Sequence, residues 1–349
     1  MKQYPESASA PIPMRNVGPI HLTGDAGTVK VPVPLATFES PLWPSVERGA
    51  RVTGKAGGIC ATVFDERMTR SVLIDAPSAA AARDLVRFIE AQRAELDTVT
   101  ADTSRFARLI EVDFEVVGHL VWVRFAFTTG DAAGHNMATR AADALLAWVL
   151  QQRPECAYGS ISGNYCCDKK ASAVNGILGR GKYVVAETTI PQRLVERYLH
   201  TTPEKIVALN WRKNWVGTSL AGGVRSANAH FANMLLAVYL ATGQDAANII
   251  EGSQGFTLAE TRGSDGLYFS VTLPNLIVGT VGNGKDLPFV QQNLHELGCL
   301  DAREPGANAR RLAMICAATV LCGELSLLAA QTNPGELMVA HLKLERGAP

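Results

Sequence analysis

The feature that most constrains this fold is an apolar helix that is stable only when buried. Residues 226–242 (SANAHFANMLLAVYLAT) predict a helix that is apolar on almost every side. It is followed by Gly243, the residue type usual just past a helix C-terminus. A second apolar helical region covers residues 309–330. The rest of the chain must wrap around a buried helix, which 349 residues with 47% hydrophobic content can do.

A smaller unit is indicated by the order of elements that precede this helix. The predicted elements are a strand at 71–75, a helix at 80–97, a hairpin of Leu109–Val117 and Leu120–Thr128 joined at Gly118-His119, and a helix at 138–151. This order is typical of a compact, ferredoxin-like α+β unit. Later strand-like runs lie at 183–190, 268–273 and 276–279.

We therefore predict an α+β fold with an inserted domain. Residues 1–70 and 161–331 would form a large domain around the buried helix. Residues 71–160 would form a small inserted domain, and residues 332–349 a C-terminal segment.

Charge and cysteine usage exclude several classes of protein. Lys+Arg and Asp+Glu number 33 each, so no overall field attracts nucleic acid or a membrane surface. The seven cysteines show no repeated metal-ligand spacing, which predicts no metal site and a reducing, cytoplasmic setting. Residues 1–14 lack a signal-peptide core, and we expect no later stretch long enough to span a bilayer.

Four polar stretches can carry chemistry, although each has an ordinary alternative. Residues 162–170 (SGNYCCDKK) offer cations to an anionic substrate or a developing oxyanion, or form a solvated loop. Residues 103–108 (TSRFAR) join a hydroxyl to a guanidinium, which suits a phosphate or a plain basic edge. Residues 130–137 and 279–284 are glycine-bearing turns without the Rossmann spacing. Their backbone N–H groups can bind a pyrophosphate, or the glycines only allow the chain to turn.

Several single residues also have two possible roles each. Asp245 follows the buried helix, where burial would raise its pKa, or it caps the next turn. His230 and Asn233 share a helix face and belong to a ligand site or a core network. Glu39 near apolar groups is a proton donor or a surface glutamate, and His341 is an acid or a tail residue.

Taken in order, these stretches resemble one protein family. The motifs are TSRFARL (103–109), GDAAGHNM (130–137), SGNYCCDKK (162–170), GRGK (179–182), KNWVG (213–217), NAHFAN (228–233), GQDAA (243–247), GANARRLA (306–313) and GELSL (323–327). They resemble the HMG-CoA reductase family, in the class that includes the eukaryotic enzymes, over roughly residues 14 to 345.

The resemblance implies NADPH-dependent, four-electron reduction of (S)-HMG-CoA to mevalonate and CoA, through a hemithioacetal and an aldehyde. It implies a soluble homodimer or higher homo-oligomer with active sites at the subunit interface. By motif, Glu39 matches the proton donor to the carbonyl and Lys169 matches the cation that stabilises the oxyanion. Asp245 matches the aspartate that links these two, and would raise the pKa of Glu39, while His341 matches the acid that protonates the CoA thiolate.

The resemblance also implies that the large domain binds the substrate and dimerises, and that the small inserted domain binds the nucleotide NADPH. It implies two sets of binding residues. Those that match the substrate pocket are Arg70, Ser162, Asp168, Lys170, Lys213, His230 and Asn233. Those that match the NADPH site are Ser104 and Arg105 for the 2′-phosphate, with Asp131, Gly134, Asn136, Val281 and Gly282.

Several positions depart from the family pattern. Phe38 replaces a Thr before Glu39, Ser40-Pro41 follow it, and Arg225 replaces a Gly. One alternative is therefore a reductase of the same chemistry that acts on a different acyl thioester. Another is a binding protein that keeps the fold without catalysis.

Overall fold

The computed structural model describes residues 10–24, 27–263 and 266–345. Its strands are β1 (Met14–Gly24), β2 (Gly27–Ala36), β3 (Ile59–Asp75), β4 (Arg108–Val117), β5 (Leu120–Thr128), β6 (Ala157–Ser160), β7 (Gly181–Pro191), β8 (Ser226–Ala227), β9 (Gly255–Arg262) and β10 (Gly266–Leu276). Its helices are α1 (Leu42–Lys55), α2 (Ala79–Ala91), α3 (Arg93–Thr103), α4 (His135–Gln152), α5 (Val174–Leu178), α6 (Gln192–Leu199), α7 (Pro203–Leu209), α8 (Thr218–Leu220), α9 (Phe231–Ala241), α10 (Ile249–Gly252), α11 (Pro288–Glu296), α12 (Ala307–Gln331) and α13 (Glu336–Glu345). A π-helical segment (Asn210–Gly217) joins α7 to α8, and a 3-10 helix (Ala246–Asn248) precedes α10.

The helix α12 forms the centre of the larger part of the fold. Most of its side chains are buried, on every side of the helix. A helix that is apolar all round is stable only where other elements cover all of its faces. Here α1, α9 and the strands β3, β7 and β10 do so. The predicted α+β fold around a buried helix is confirmed, with α12 rather than α9 at its centre.

One prediction about α12 is wrong. With 25 residues, this helix is long and apolar enough to cross a bilayer, although we expected no such stretch. However, 94% of its most apolar window is buried inside the fold, as in the core helix of a globular protein.

The strand β3 connects two sheets. Its first half pairs with β7 in the main sheet, whose order is β2-β1-β3-β7-β10-β9-β8. Its second half pairs with β5 and β6 in a second sheet of order β6-β3-β5-β4, in which every pair is antiparallel. The helices α2, α3 and α4 connect and cover these strands, with Leu85 and Leu145 packed in a separate core with Val72 and Phe125. This is the predicted ferredoxin-like arrangement.

The predicted hairpin is confirmed to within one residue, with Gly118 at a φ of 64° in its turn. Other predicted elements differ. The helix expected over 80–97 breaks at Gln92 into α2 and α3, and the strand expected at 71–75 is the end of a 17-residue strand. The run 276–279 is not a strand beyond Leu276.

The helix expected over 226–242 begins only at Phe231. Asn228 Oδ1 accepts a hydrogen bond from the Phe231 N–H at 3.2 Å, and Asn is a favoured residue for capping a helix N-terminus. Residues 226–227 instead pair with β9. Small residues such as Ser, Ala and Asn therefore extended the apparent helical pattern past its real start.

Candidate active site

Lys169 and Asp245 form the charged centre of the candidate site. The Lys169 ammonium lies 2.6 Å from Asp245 Oδ2, and both side chains are partly exposed. Asp245 Oδ1 also accepts a hydrogen bond from the Ala247 N–H at 3.1 Å. Asp245 thus caps the 3-10 helix and pairs with the lysine at the same time.

This ion pair changes the protonation of both groups. The hydrogen bond with Asp245 raises the pKa of Lys169. Burial alone would raise the pKa of Asp245, but the hydrogen bond and charge of Lys169 outweigh burial and lower that pKa. The expected rise in the Asp245 pKa is therefore wrong, because a cation contacts the carboxylate. The pair presents a permanent ammonium, which can stabilise an oxyanion.

An ion pair between the buried Arg180 and the partly buried Asp168 anchors the loop that carries Lys169. Asp168 Oδ1 accepts a hydrogen bond from Arg180 Nη2 at 2.5 Å and lies 3.4 Å from His135 Nε2. Burial alone would raise the pKa of Asp168, but the hydrogen bond from His135 and the charge of Arg180 lower it well below its usual range. The Lys169 N–H donates to Oε1 of the fully buried Glu251 at 3.1 Å.

A cavity of about 540 Å³ opens beside Lys169 and Asp245. Gln244, which lines this cavity, makes two hydrogen bonds with the backbone of Gly279. Its Oε1 accepts from the Gly279 N–H at 2.9 Å, and its Nε2 donates to the Gly279 carbonyl at 3.0 Å. Lys285 Nζ donates to the Gly243 carbonyl, and burial lowers the pKa of Lys285 to about 8. The turn bearing Asp245 is thereby fixed against the glycine-rich turn at 279–284.

The turn before α4 is shaped for an anion. Gly134 has a φ of 94°, and a Cβ there would lie 2.4 Å from the Thr129 side chain, so only glycine fits. The residues of the first helical turn, His135–Met137, line the cavity, and free N–H groups at a helix N-terminus favour an anion. Val281 and Gly282 line the same cavity.

Ser104 and Arg105 lie beside this turn. Ser104 Oγ accepts a hydrogen bond from the Phe106 N–H at 3.2 Å, and the exposed Arg105 guanidinium lies 4.7 Å from the Phe106 ring centroid. A Cβ on Gly130 would be 3.5 Å from the same ring. Phe106 therefore carries the serine and the arginine next to the 130–134 turn.

Glu39 lies in a different cavity, of about 430 Å³. Its Oε2 accepts a hydrogen bond from Asn233 Nδ2 at 2.8 Å. His230 lines the same cavity, and its Nε2 lies 3.0 Å from the Gly323 carbonyl oxygen. The structure therefore brings these three predicted residues together.

Glu324 supports this second cavity from the centre of α12. Its buried carboxylate accepts hydrogen bonds from the Ala229 N–H at 2.6 Å and the His230 N–H at 3.1 Å, just before α9 begins. Thr257 Oγ1 and Asn214 Nδ2 donate to it at 2.9 and 3.3 Å. A carboxylate inside an apolar helix must find donors, and one of its donors here is the backbone of His230, which lines the Glu39 cavity.

The two cavities lie at opposite ends of α9 within one chain. They share no lining residue among those described. The 11 residues of α9 rise by about 15 Å from the Asn233 end to the Asp245 end. The expectation that Glu39 lies beside Asp245 is therefore not met inside one subunit.

Three other residues that were predicted to bind the substrate lie in or beside the Lys169 loop. Arg70 lines the larger cavity, and its Nη1 donates to Ser162 Oγ at 3.4 Å. Lys170 is exposed and donates to the Asp168 carbonyl at 3.0 Å. These side chains extend the positive surface beside Lys169.

The remaining predicted residues are placed elsewhere. Asn136 lines the larger cavity, but Asp131 Oδ1 accepts the Ala309 N–H at 3.0 Å, at the start of α12. Lys213 lies in the π-helical segment and is not among the described residues that line either cavity. His341 lies in α13, and its side chain falls outside the described side chains.

Sequence reasoning missed the residues that support the site. These are Arg180, Gln244, Glu251, Lys285 and Glu324. Charged side chains inside apolar stretches were the available signal for Glu251 and Glu324. Within residues 10–24, 27–263 and 266–345, no group of three or more His, Cys, Asp or Glu is placed to hold a metal ion.

Known proteins are similar to this chain in sequence. The chain is 44% identical over 338 residues to the 3-hydroxy-3-methylglutaryl-coenzyme A reductase of Aeropyrum pernix, covering 96% of this chain and 80% of that one. It is 43% identical over 321 residues to the enzyme of that name from Pyrococcus abyssi, covering 91% and 78% of the two chains.

A solved structure has the same fold. It is that of the class II 3-hydroxy-3-methylglutaryl-CoA reductase from Streptococcus pneumoniae bound to NADPH in open conformations. The TM-score is 0.75 at 20% identity, over 95% of this chain and 88% of that one. The model of the hydroxymethylglutaryl-coenzyme A reductase family matches residues 7–346. With the motifs in order and the matched residues around two cavities, this chain belongs to the hydroxymethylglutaryl-coenzyme A reductase family.

Proposed function

We propose that this protein reduces (S)-HMG-CoA to mevalonate and CoA with NADPH, through a hemithioacetal and an aldehyde. The observation that carries the proposal is the contact between the Lys169 ammonium and Asp245 at the edge of the larger cavity. Reduction of a thioester places negative charge on the carbonyl oxygen, and a fixed ammonium stabilises that charge.

The other side chains divide the proton transfers. Glu39 donates a proton to the carbonyl oxygen of the aldehyde, as a general acid. His341 protonates the thiolate of departing CoA, because histidine titrates near neutral pH. Asp245 holds the Lys169 ammonium in its charged form, since the ion pair raises the lysine pKa.

The larger cavity has the features that NADPH requires. Gly134 and the first turn of α4 suit its pyrophosphate, and Asn136, Val281 and Gly282 complete this wall. Ser104 and Arg105 provide a hydroxyl and a guanidinium for the 2′-phosphate. When bound, NADPH supplies the hydride. We assign residues 71–160 to a small NADPH-binding domain on these grounds.

Asp168, Arg70, Ser162 and Lys170 would bind the substrate near Lys169. His230 and Asn233 would bind it near Glu39, and the resemblance adds Lys213. These groups offer cations and amide donors that match the carboxylate and hydroxyl of HMG-CoA.

A homodimer would complete each active site. Glu39 and Lys169 lie at opposite ends of α9, too far apart to act on one carbonyl within a subunit. A two-fold axis pairs one surface with the same surface of a second copy, so the Glu39 end of one subunit can face the Lys169 end of the other. Large-domain residues 1–70 and 161–331 would form this interface, and residues 332–349 would bring His341 to it.

Heterodimers of inactive variants test this arrangement. Glu39→Gln and Lys169→Ala chains carrying different tags are co-expressed, and heterodimers are purified on both tags. A shared site leaves one of the two sites intact, so about half of the wild-type turnover per dimer should return. The control pairs Lys169→Ala with Asp245→Asn, which should recover nothing because both changes affect the same half-site. No recovery in the first pair would refute the shared site.

An assay of NADPH oxidation tests the reaction itself. We expect turnover with HMG-CoA, with mevalonate identified as the product by mass spectrometry, and no turnover in folded Lys169→Ala. Faster turnover with another acyl-CoA would favour the alternative substrate, for which the exposed Phe38 next to Glu39 is the supporting observation. Absence of turnover with every acyl-CoA would favour a binding protein.

We also propose that the enzyme works in the cytoplasm, without nucleic acid or a membrane as partner. Its seven cysteines are all free, which suits a reducing compartment. The balanced charge and the burial of α12 agree with this setting.

A further inference from the structure

The loop that presents Lys169 has an unfavourable backbone. Asn164, Cys167 and Lys169 have φ values of 62°, 46° and 55°, in the left-handed region that residues with a Cβ rarely adopt. Such conformations persist only where the surrounding structure imposes them. Something must therefore hold the backbone at Lys169.

Glu251 makes the contact that can do this. Its Oε1 accepts the Lys169 N–H at 3.1 Å, and the same oxygen accepts from Asn248 Nδ2 at 2.9 Å. The Glu251 side chain is fully buried in α10, six positions after Asp245. One short segment thus holds the ammonium of Lys169 through Asp245 and its backbone through Glu251.

Arg180 gives this buried carboxylate a counter-charge. Its Nε lies 3.7 Å from Glu251 Oε1, and its Nη1 donates to the Thr69 carbonyl at 2.8 Å. Its Nη2 donates to Asp168, the residue before Lys169. Both partners of the buried pair are fully covered, so the pair has no direct access to substrate and acts through the loop.

We infer that Glu251 is a positioning residue, whose carboxylate oxygen holds the Lys169 backbone N–H and thereby directs the Lys169 ammonium to Asp245. The inference rests on the proposed role of Lys169 in the reaction. It concerns the hydrogen bond from Lys169, rather than the negative charge of Glu251.

Two isosteric variants separate the hydrogen bond from the charge. Glu251→Gln and Glu251→Met both remove the charge that faces Arg180 and nearly conserve volume, but only Gln can accept the Lys169 N–H. We expect kcat to fall by about 100-fold in Glu251→Met and by less than about threefold in Glu251→Gln. The KM for HMG-CoA should change little, because the ammonium acts on the developing oxyanion.

A second measurement does not require activity. The rate of Lys169 acetylation by acetic anhydride is followed against pH by mass spectrometry, with Lys170 as internal control. Lys169 faces Asp245 and feels the charges of Asp168 and Glu251. Because contact with Asp245 raises the pKa of Lys169, the midpoint of labelling should fall in Glu251→Met relative to Glu251→Gln.

The outcomes are distinct. Equal kcat and equal labelling midpoints in the Gln and Met variants would overturn the inference. If the wild-type protein oxidises no NADPH, the proposed function fails, while the labelling still decides whether Glu251 positions Lys169. Should Glu251→Met be unstable, amide exchange at Lys169 in Glu251→Gln decides: retained protection supports the inference and lost protection overturns it.

Discussion

Several charged residues at or behind the larger cavity are held in ion pairs. Lys169 meets Asp245, and Arg180 meets Asp168 and Glu251. The pKa of Lys169 is raised and that of Asp245 is lowered, so both stay ionised across the neutral range. Loss of the pair is expected only when pH falls below the Asp245 pKa or rises above the Lys169 pKa. In the proposed reaction, hydride transfer at neutral pH would therefore have a permanent cation beside the carbonyl.

Arg105 should determine the choice between nicotinamide cofactors. We expect Arg105→Ala to raise the KM for NADPH by about tenfold or more and to leave the KM for NADH nearly unchanged, because only NADPH has a 2′-phosphate for the guanidinium. Steady-state kinetics with both cofactors measures this. Arg108→Ala, a nearby exposed arginine whose Nη1 donates to the Ala107 carbonyl, is the control. Equal losses with both cofactors in Arg105→Ala would contradict the assignment.

Because of Lys285, the free energy of unfolding should depend on pH in the alkaline range. Burial lowers its folded pKa to about 8, below the usual 10.5. Between these values the unfolded chain binds the extra proton, so stability increases as pH rises through this window. We expect the wild-type protein to gain about 2 kcal/mol relative to Lys285→Met between pH 7.5 and 9.5. Urea unfolding at the two pH values measures this gain, and parallel curves would show that the buried ammonium does not titrate in this window.

Lys169 and Asp245 were predictable because both stand in long motifs. The roles of Gln244 and Lys285 were not, although Gln244 stands next to Asp245 and Lys285 directly follows the turn at 279–284. Their roles come from hydrogen bonds to backbone carbonyls of segments about 40 residues away, Gly279 and Gly243. Spacing along the chain carries no information about such contacts.

At the scale of elements, α9 and α12 organise the Glu39 cavity. Glu324 of α12 accepts the N–H groups of Ala229 and His230, which immediately precede α9. A carboxylate at a helix N-terminus satisfies donors that the helix itself leaves free. The same carboxylate also accepts a hydrogen bond from Asn214, in the π-helical segment that contains Lys213.

Replacing Glu324 should therefore affect stability and substrate binding together. In Glu324→Gln the amide NH₂ faces N–H donors, and we expect a loss of about 3 kcal/mol and a raised KM for HMG-CoA. Thr319→Val, which removes a buried hydroxyl that bonds only within α12, is the control and should leave KM unchanged. Urea unfolding and steady-state kinetics measure both effects. Wild-type stability in folded Glu324→Gln would contradict the capping role.

At the scale of the whole molecule, the two sheets share β3 and meet at the start of α12. Asp131, which precedes α4, accepts the Ala309 N–H, and its carbonyl accepts the Thr280 N–H at 2.8 Å. Ala132 also pairs with Val281. The larger cavity therefore lies where elements of both sheets approach each other.

Asp131 distinguishes a structural role from a cofactor role. As a cap of α12, Asp131→Ala should lower stability by about 1 kcal/mol and increase hydrogen exchange in the first turn of that helix. Asp102→Ala, an exposed carboxylate on α3, is the control and should stay within about 0.5 kcal/mol of wild type. A raised KM for NADPH with unchanged stability would instead support the cofactor role that the resemblance implies.

The sequence by itself determined the elements whose pattern is local: the hairpin at 108–128, the apolar helices, and the motifs that hold Lys169 and Asp245. Periodicity and turn chemistry are properties of neighbouring residues, so a short segment of the sequence is enough to predict them. Only the tertiary structure decided that the carboxylate of Asp245 stays ionised, that Glu39 lies at the other end of α9, and that α12 is the central helix. These facts depend on which distant segments pack together, because burial and charge contacts are set by the whole fold.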